Sequence, residues 1–218
     1  IETYSIYGRA PFATASATSG SQGLSRILMK FETDKIASQR SAGTIPASGS
    51  VKFYLRLFNA ETSKTVPRDF ALSVLPIAQT WEEGLGLDLE NYEDLTKGNI
   101  GSNWIYASKT ATWARPDGEA TVGGSYLTGA SDPQFKQTFQ TGLEDIEIDI
   151  SPLVEHWLAG TKNNYGIGIH LSSSYEAYYS ASNDEERNPL HTGSIINNTG
   201  GAENSYYTKR FFGRGTQY

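Results

Sequence analysis

The sequence predicts an all-β protein, an antiparallel two-sheet β-sandwich of jelly-roll-like form with one short helix near residues 151–159. Three observations predict this fold. Apolar and polar side chains alternate in several segments, as they do on strands with one buried face. Aromatic residues make up 12% of the chain. Its 22 glycines lie among many serines, threonines and asparagines, a mixture typical of strands joined by turns.

Three strands are predicted in the first part of the chain, at residues 24–31, 50–60 and 66–81. The second is the clearest, because Leu55 and Leu57 would face one way and Arg56 the other. Pro76 is expected to interrupt the third strand at a sheet edge or a bulge, since proline has no N–H for the strand ladder.

Residues from about 81 to 142 are the least regular part of the chain. We predict a long irregular insertion there, of the kind that carries a binding surface or caps a core. A second polar stretch, about 183–205, is expected to be a loop. With a length of 218 residues the remainder fits one sandwich, so residues 1–218 are assigned to a single domain.

The segment "DIEIDISPLVEHWLAG" at 145–160 changes its period from two to about four. It opens as a strand with three isoleucines on one face and acidic residues on the other. Ser151 is then expected to cap a helix whose first residue is Pro152. Trp157 and its apolar neighbours supply more hydrophobic surface than a free helix tolerates, so the helix is expected to plug the core and to end at Gly160, with Glu155 facing outward.

Further strands are predicted at 165–173, at 175–182 and in the terminal "YYTKRFFGRGTQY". In the first of these, Ile167 and Ile169 point inward. Gly166 and Gly168 fall on the opposite face, where another group is expected to approach closely.

Composition and charge exclude several classes of partner. The net charge is −6 and the pI is near 5.1, which disfavours nucleic acid. The longest apolar runs fall short of the roughly 18 residues needed to cross a bilayer, so membrane insertion is not expected. Cysteine is absent, so thiolate chemistry and disulfides are excluded. Because the chain begins at Ile1, we expect a processed protein or a fragment.

No catalytic or metal-binding residue is assigned. The histidines His156, His170 and His191 lack the spacing of a zinc site. The acidic stretch 82–94 offers oxygen ligands to calcium but not the spacing of an EF-hand, so calcium is a weak alternative to an ordinary solvated loop. No cofactor is expected.

Aromatic side chains are the remaining candidates for ligand binding. Trp104, Trp113 and Tyr126 lie on the irregular segment and could stack on sugar rings, since they join a flat apolar body to a polar tip. Against this, most aromatic residues of a sandwich belong to its core.

Several motifs together indicate a family. "SRILMKF", "SVKFYLRLF", "WEEG", "GSNWIYASKTATW" and "IDISPLVEHWLAG" followed by "NNYGIGIHL" resemble, in order and spacing, the DNRLRE or disaggregatase-related β-sandwich, a fold similar to family-96 carbohydrate-binding modules. The likeness spans roughly residues 23–180. The strand that closes the sheet in that family is missing before Tyr218, so the chain is expected to be a fragment or to have its edge completed by another chain.

The "SRIL", "LRLFNAE", "GSNW" and "KRFF" stretches resemble more closely the structural proteins of tailed, cyanophage-like phages. This resemblance implies a non-enzymatic virion surface component, such as a fibre, decoration or appendage subunit, located on a virion or outside the cell. Its partners would be copies of itself or other virion proteins. The alternatives are a carbohydrate-binding module that recognises a surface glycan through exposed aromatics and, third, a polysaccharide-cleaving enzyme.

Overall fold

Antiparallel strands dominate the computed structural model, which describes residues 3–7, 26–61, 69–84, 101–171 and 208–213. The predicted strand 175–182 and loop 183–205 lie outside these ranges. The elements are β1 (Thr3–Tyr7), β2 (Ile27–Met29), α1 (Asp34–Ser41), β3 (Tyr54–Leu57), β4 (Phe70–Pro76), β5 (Tyr106–Ser108), β6 (Ala111–Thr112), β7 (Phe135–Phe139), β8 (Ile146–Asp149), α2 (Ser151–Leu158), β9 (Ile167–Leu171) and β10 (Thr208–Phe212).

Two layers of strands confirm the predicted all-β sandwich. The first layer is a four-stranded sheet of order β2-β9-β4-β7, antiparallel throughout. The second is built from the pairs β1–β10 and β3–β8. Backbone hydrogen bonds from Ala60 to Arg210 (2.9 Å) and from Phe212 to Phe58 (3.0 Å) join these pairs. The second layer therefore runs β1-β10-β3-β8.

The main core lies between the two layers and includes one face of α2. On β3 and β8 the alternation of the sequence is reproduced: Leu55 lies opposite Ile148, and both are buried. On the outer face Arg56 pairs with Glu147 at 2.9 Å, with both side chains more than half exposed. Such an exposed pair contributes at most about 1 kcal/mol, so burial of the apolar face determines the register.

The helix α2 occupies the predicted position, with Pro152 in its first turn and Gly160 beyond its end at a φ of 67°. The predicted cap is wrong. The hydroxyl of Ser151 accepts the N–H of Phe53 at 2.8 Å. Ser151 therefore ties α2 to the residue that precedes β3. Asp149 accepts the N–H of Ser151 at 2.9 Å, and hydrogen bonds from Ser151 and then Lys52 lower the pKa of Asp149 to about 2.

A second helix, α1, was not predicted. None of its residues is buried, so its sequence has no apolar stripe that would reveal it. Arg40 anchors α1 through a bidentate salt bridge to Glu155 of α2. Its Nη1 and Nη2 donate to the two carboxylate oxygens at 2.8 and 2.9 Å. Glu155 therefore contacts α1 and does not face open solvent as expected.

The expectation for Pro76 is also corrected, because it ends β4, a central strand with β9 on one side. Its carbonyl accepts the N–H of Leu127 at 2.9 Å, so its ring nitrogen faces away from β9. The pairing of β7 with β4 stops at Val74, two residues earlier. The missing N–H thus falls where no ladder bond of β7 is needed.

Within the described ranges, no helix is long and apolar enough to cross a membrane.

Candidate functional site

Residues 101–128 of the predicted irregular segment pack on the outer face of the first layer, whereas its later residues include β7, a strand of that layer that the prediction of an irregular insertion missed. Backbone hydrogen bonds tie residues 101–128 to the end of β4, from Ala78 to Ser125 and from Leu127 to Pro76, each 2.9 Å. These bonds bring the ring of Tyr126 onto Gly168 of β9, where a Cβ atom would collide with the ring. The close approach predicted at Gly168 is thereby confirmed, and Tyr126 is the group that approaches.

A small second core lies under this segment. It is formed by Ile77, Ala107 and Trp113, all buried. Trp113 is 1% exposed and its indole N–H donates to the carbonyl of Asn103 at 2.8 Å. Because Trp113 is enclosed, it supports the surface from below in this conformation.

The other two predicted residues meet at Arg26, which sequence reasoning placed only on a strand. The guanidinium carbon lies 5.0 Å from the ring centre of Trp104 and 5.5 Å from that of Tyr126. Both distances are within the range of cation–π attraction. We call Arg26, Trp104, Gly123 and Tyr126 the Arg26 cluster.

Gly123 organises the Arg26 cluster. Its carbonyl accepts Arg26 Nη1 at 2.6 Å and the hydroxyl of Tyr126 at 2.8 Å, while its N–H donates to the carbonyl of Trp104 at 2.6 Å. Its φ is 72°, and a Cβ there would lie 2.8 Å from the Trp104 ring. Only glycine fits this position without moving the ring.

The surroundings of the cluster combine apolar and polar groups. Ile105 and Val122 are half exposed beside it. The ring centre of His170 lies 5.5 Å from that of Tyr126. Aromatic faces next to fixed hydrogen-bonding groups can stack on a sugar ring and bind its hydroxyls.

Metal ligation receives no support from the described part of the chain, where no group of three or more His, Cys, Asp or Glu side chains could hold an ion. Of the acidic stretch 82–94, Glu82 and Glu83 are described, and Glu82 accepts the N–H of Gly101 at 3.4 Å. Asp88, Glu90, Glu93 and Asp94 lie outside the described residues, as does His191. His156 contacts the Thr161 hydroxyl at 2.8 Å.

A second candidate surface is a groove of about 970 Å³ along β2. We call it the β2 groove; residues 28–34, Arg56, Leu57, Trp81, Glu83, Asn164, Phe212 and Gly213 line it. The strand β2 pairs with β9 on one side and stands at the end of the first layer as far as the described strands extend. Sequence reasoning expected an incomplete sheet edge at the end of the chain, and did not predict one at β2.

No protein-family model, curated protein or solved structure matches the chain.

Proposed function

We propose that this chain is a non-enzymatic structural protein, a virion surface component that assembles with copies of itself or other virion proteins through its sheet edges and loops. The resemblance to phage structural proteins supports the setting. The observation that carries the proposal is the β2 groove, which runs beside β2, the short strand at the end of the first layer. A strand edge of this kind is a template for pairing with another chain.

The walls of the groove have the composition of a protein interface. Leu28 and Met29 are only partly buried, and Phe31 is 39% exposed. Charges of both signs surround them, at Lys30, Glu32, Asp34, Arg56 and Glu83. An apolar centre with a mixed polar rim is typical of interfaces between proteins.

The backbone along the groove is held in place before any partner arrives. The side-chain amide of Asn164 donates to the carbonyl of Phe31 at 2.7 Å and to the hydroxyl of Thr33 at 3.3 Å. A preorganised edge loses less conformational entropy when a strand docks against it.

We expect the purified chain to self-associate, and Phe31→Glu to weaken that association about tenfold or more, because a carboxylate would be buried without a partner. Sedimentation velocity over a series of concentrations measures this. Ile105→Glu is the matched control, since it adds the same charge at a half-exposed apolar position outside the groove. A wild-type chain that stays monomeric throughout the series contradicts assembly through copies of itself, and equal weakening by both variants contradicts the groove.

The Arg26 cluster favours a second candidate function, carbohydrate binding. Two partly exposed aromatic rings flank one guanidinium, and half-exposed Ile105 and Val122 adjoin them. In this proposal Trp104 and Tyr126 contact the glycan, and Trp113 supports them from the second core.

For carbohydrate binding we expect Trp104→Ala to reduce affinity about tenfold or more, since a stacked aromatic dominates such contacts. Affinity electrophoresis through gels containing soluble polysaccharides of different backbones measures the retardation of the chain. Tyr54→Ala is the control, because Tyr54 is an exposed aromatic on β3 in the other layer. Equal retardation of the two variants contradicts carbohydrate binding by Trp104. Absence of retardation of the wild-type chain by every polysaccharide also contradicts this candidate.

A further inference from the structure

A lysine of the second layer is buried between the rings of two core phenylalanines. Lys209 on β10 is 1% exposed, although lysines are almost never fully buried. Its Nζ lies 5.1 Å from the ring centre of Phe139 and 4.9 Å from that of Phe211. Neither the proposed assembly nor the sugar-binding candidate uses this residue.

Three oxygens surround the amine. Nζ donates to Asn59 Oδ1 at 2.6 Å, to the carbonyl of Gly142 at 2.8 Å and to the carbonyl of Glu144 at 2.7 Å. A neutral amine has two hydrogens and one lone pair. When the ammonium group loses one proton, the two backbone carbonyls can keep the two remaining hydrogens. The lone pair of Nζ then faces the Asn59 side chain.

The backbone holds lysine and asparagine together. Asn59 bridges to Phe211, two residues from Lys209, so Asn59 and Lys209 are diagonal neighbours on the same face of the second layer. The N–H of Asn59 also donates to Asp145 Oδ1 at 2.7 Å. Two groups fixed on packed strands react as though each were present at very high concentration.

The charge state of Lys209 is favourable for nucleophilic attack. Burial lowers the pKa of Lys209 to about 8, against the opposing effect of the Glu144 and Asp145 charges. A substantial fraction of the amine is then neutral at mildly alkaline pH. Desolvated lysines of this kind are the ones that act as nucleophiles.

Glu144 supplies a fixed negative charge near the amine. Its Oε1 accepts the N–H groups of Gln140 and Thr141 at 3.0 and 2.8 Å. Its Oε2 is buried with no hydrogen-bond partner among the described residues. Burial raises the pKa of Glu144, but hydrogen bonds from the backbone, first that of Thr141, outweigh it and bring the pKa to about 2. The group is therefore a carboxylate whose negative charge acts on Lys209.

We propose that Lys209 and Asn59 form an intramolecular amide cross-link. Neutral Nζ attacks Cγ of Asn59, a new Nζ–Cγ bond forms, and the Cγ–Nδ2 bond breaks. One proton leaves Nζ and reaches the departing Nδ2, so that one ammonia is released, while the negative charge of Glu144 stabilises the positive charge that Nζ carries just after the attack. No oxidant, reductant or further reactant is needed, and the bond ties β10 to the residues that follow β3.

The mass of the intact full-length chain tests the bond directly. After incubation at a pH about one unit above the pKa of Lys209, we expect the mass of the wild type to be lower than the mass calculated from its sequence by one ammonia. A tryptic digest should then contain a branched peptide joining the segments of Asn59 and Lys209, with no cleavage after Lys209. An unchanged mass with cleavage after Lys209 overturns the proposal.

Two variants assign the roles. Lys209→Arg keeps the positive charge but cannot form this amide, and it should have the full mass of its sequence. Glu144→Gln keeps the size of the side chain but removes its negative charge, and should lower the cross-linked fraction at least tenfold at equal incubation time. A Glu144→Gln chain that cross-links like the wild type overturns the assignment of Glu144, and ammonia loss in Lys209→Arg overturns that of Lys209. Circular dichroism of both variants shows whether the fold is retained.

Discussion

Replacing Trp157 by alanine is expected to cost about 3–5 kcal/mol of the free energy of unfolding. Trp157 is 7% exposed and lies in the main core with Leu153 and Val154 of the same helix. Its removal opens a cavity between α2 and the strands, and an eight-residue helix has little stability of its own to keep the site closed. Urea denaturation followed by intrinsic fluorescence and far-UV circular dichroism measures the loss.

The conservative variant Trp157→Phe isolates the contribution of volume. The indole N–H of Trp157 is buried and has no hydrogen-bond partner among the described residues, so phenylalanine removes no hydrogen bond. We expect it to cost about 1–2 kcal/mol, well below the alanine variant. A loss under about 1 kcal/mol for Trp157→Ala itself would show that the helix is peripheral to the core.

The strands with the clearest alternation in the sequence are those whose two faces meet different environments. On β8 the isoleucines face the core and the acidic residues face water, so apolar and acidic residues alternate in the sequence. On β4, Ala71 and Leu75 are buried as well as Phe70, so both faces of the strand are enclosed. The alternation there is weaker, and the position of Pro76 was consequently misjudged.

The candidate site shows where local pattern stops being informative. The aromatic residues Trp104 and Tyr126 could be selected by residue type alone. Their partner Arg26 is joined to Gly123 across 97 residues of sequence, and no period or spacing encodes such a contact. The helix α1 escaped prediction for a related reason, since the ion pair that ties it to α2, Arg40 with Glu155, spans 115 residues.

Lys209 misleads for a different reason. A lysine on a strand ordinarily marks the face toward water, because burying its charge is costly. Here Lys209 shares a face with buried Phe211, and three oxygens from other segments of the same chain hydrogen-bond to the amine. Only the arrangement of the strands reveals those hydrogen bonds.

Gly166→Ala is expected to destabilise the protein by about 3 kcal/mol, through a clash that the fold cannot relieve locally. Gly166 has a φ of 90°, a backbone conformation that side chains rarely adopt. A Cβ atom added there would also collide with the carbonyl oxygen of Met29 on β2. Since that oxygen belongs to the backbone, relief requires β2 to separate from β9, which would also disturb the β2 groove.

Gly160→Ala separates the two effects, because Gly160 has a φ of 67° but nothing within 4 Å of an added Cβ. It should lose only the conformational part, about 1 kcal/mol. Urea denaturation of both variants gives the difference, which is the contribution of the contact between Gly166 and β2. Equal losses for the two would mean that β2 yields freely, and an edge that yields freely could not offer a partner the fixed template on which assembly through the β2 groove depends.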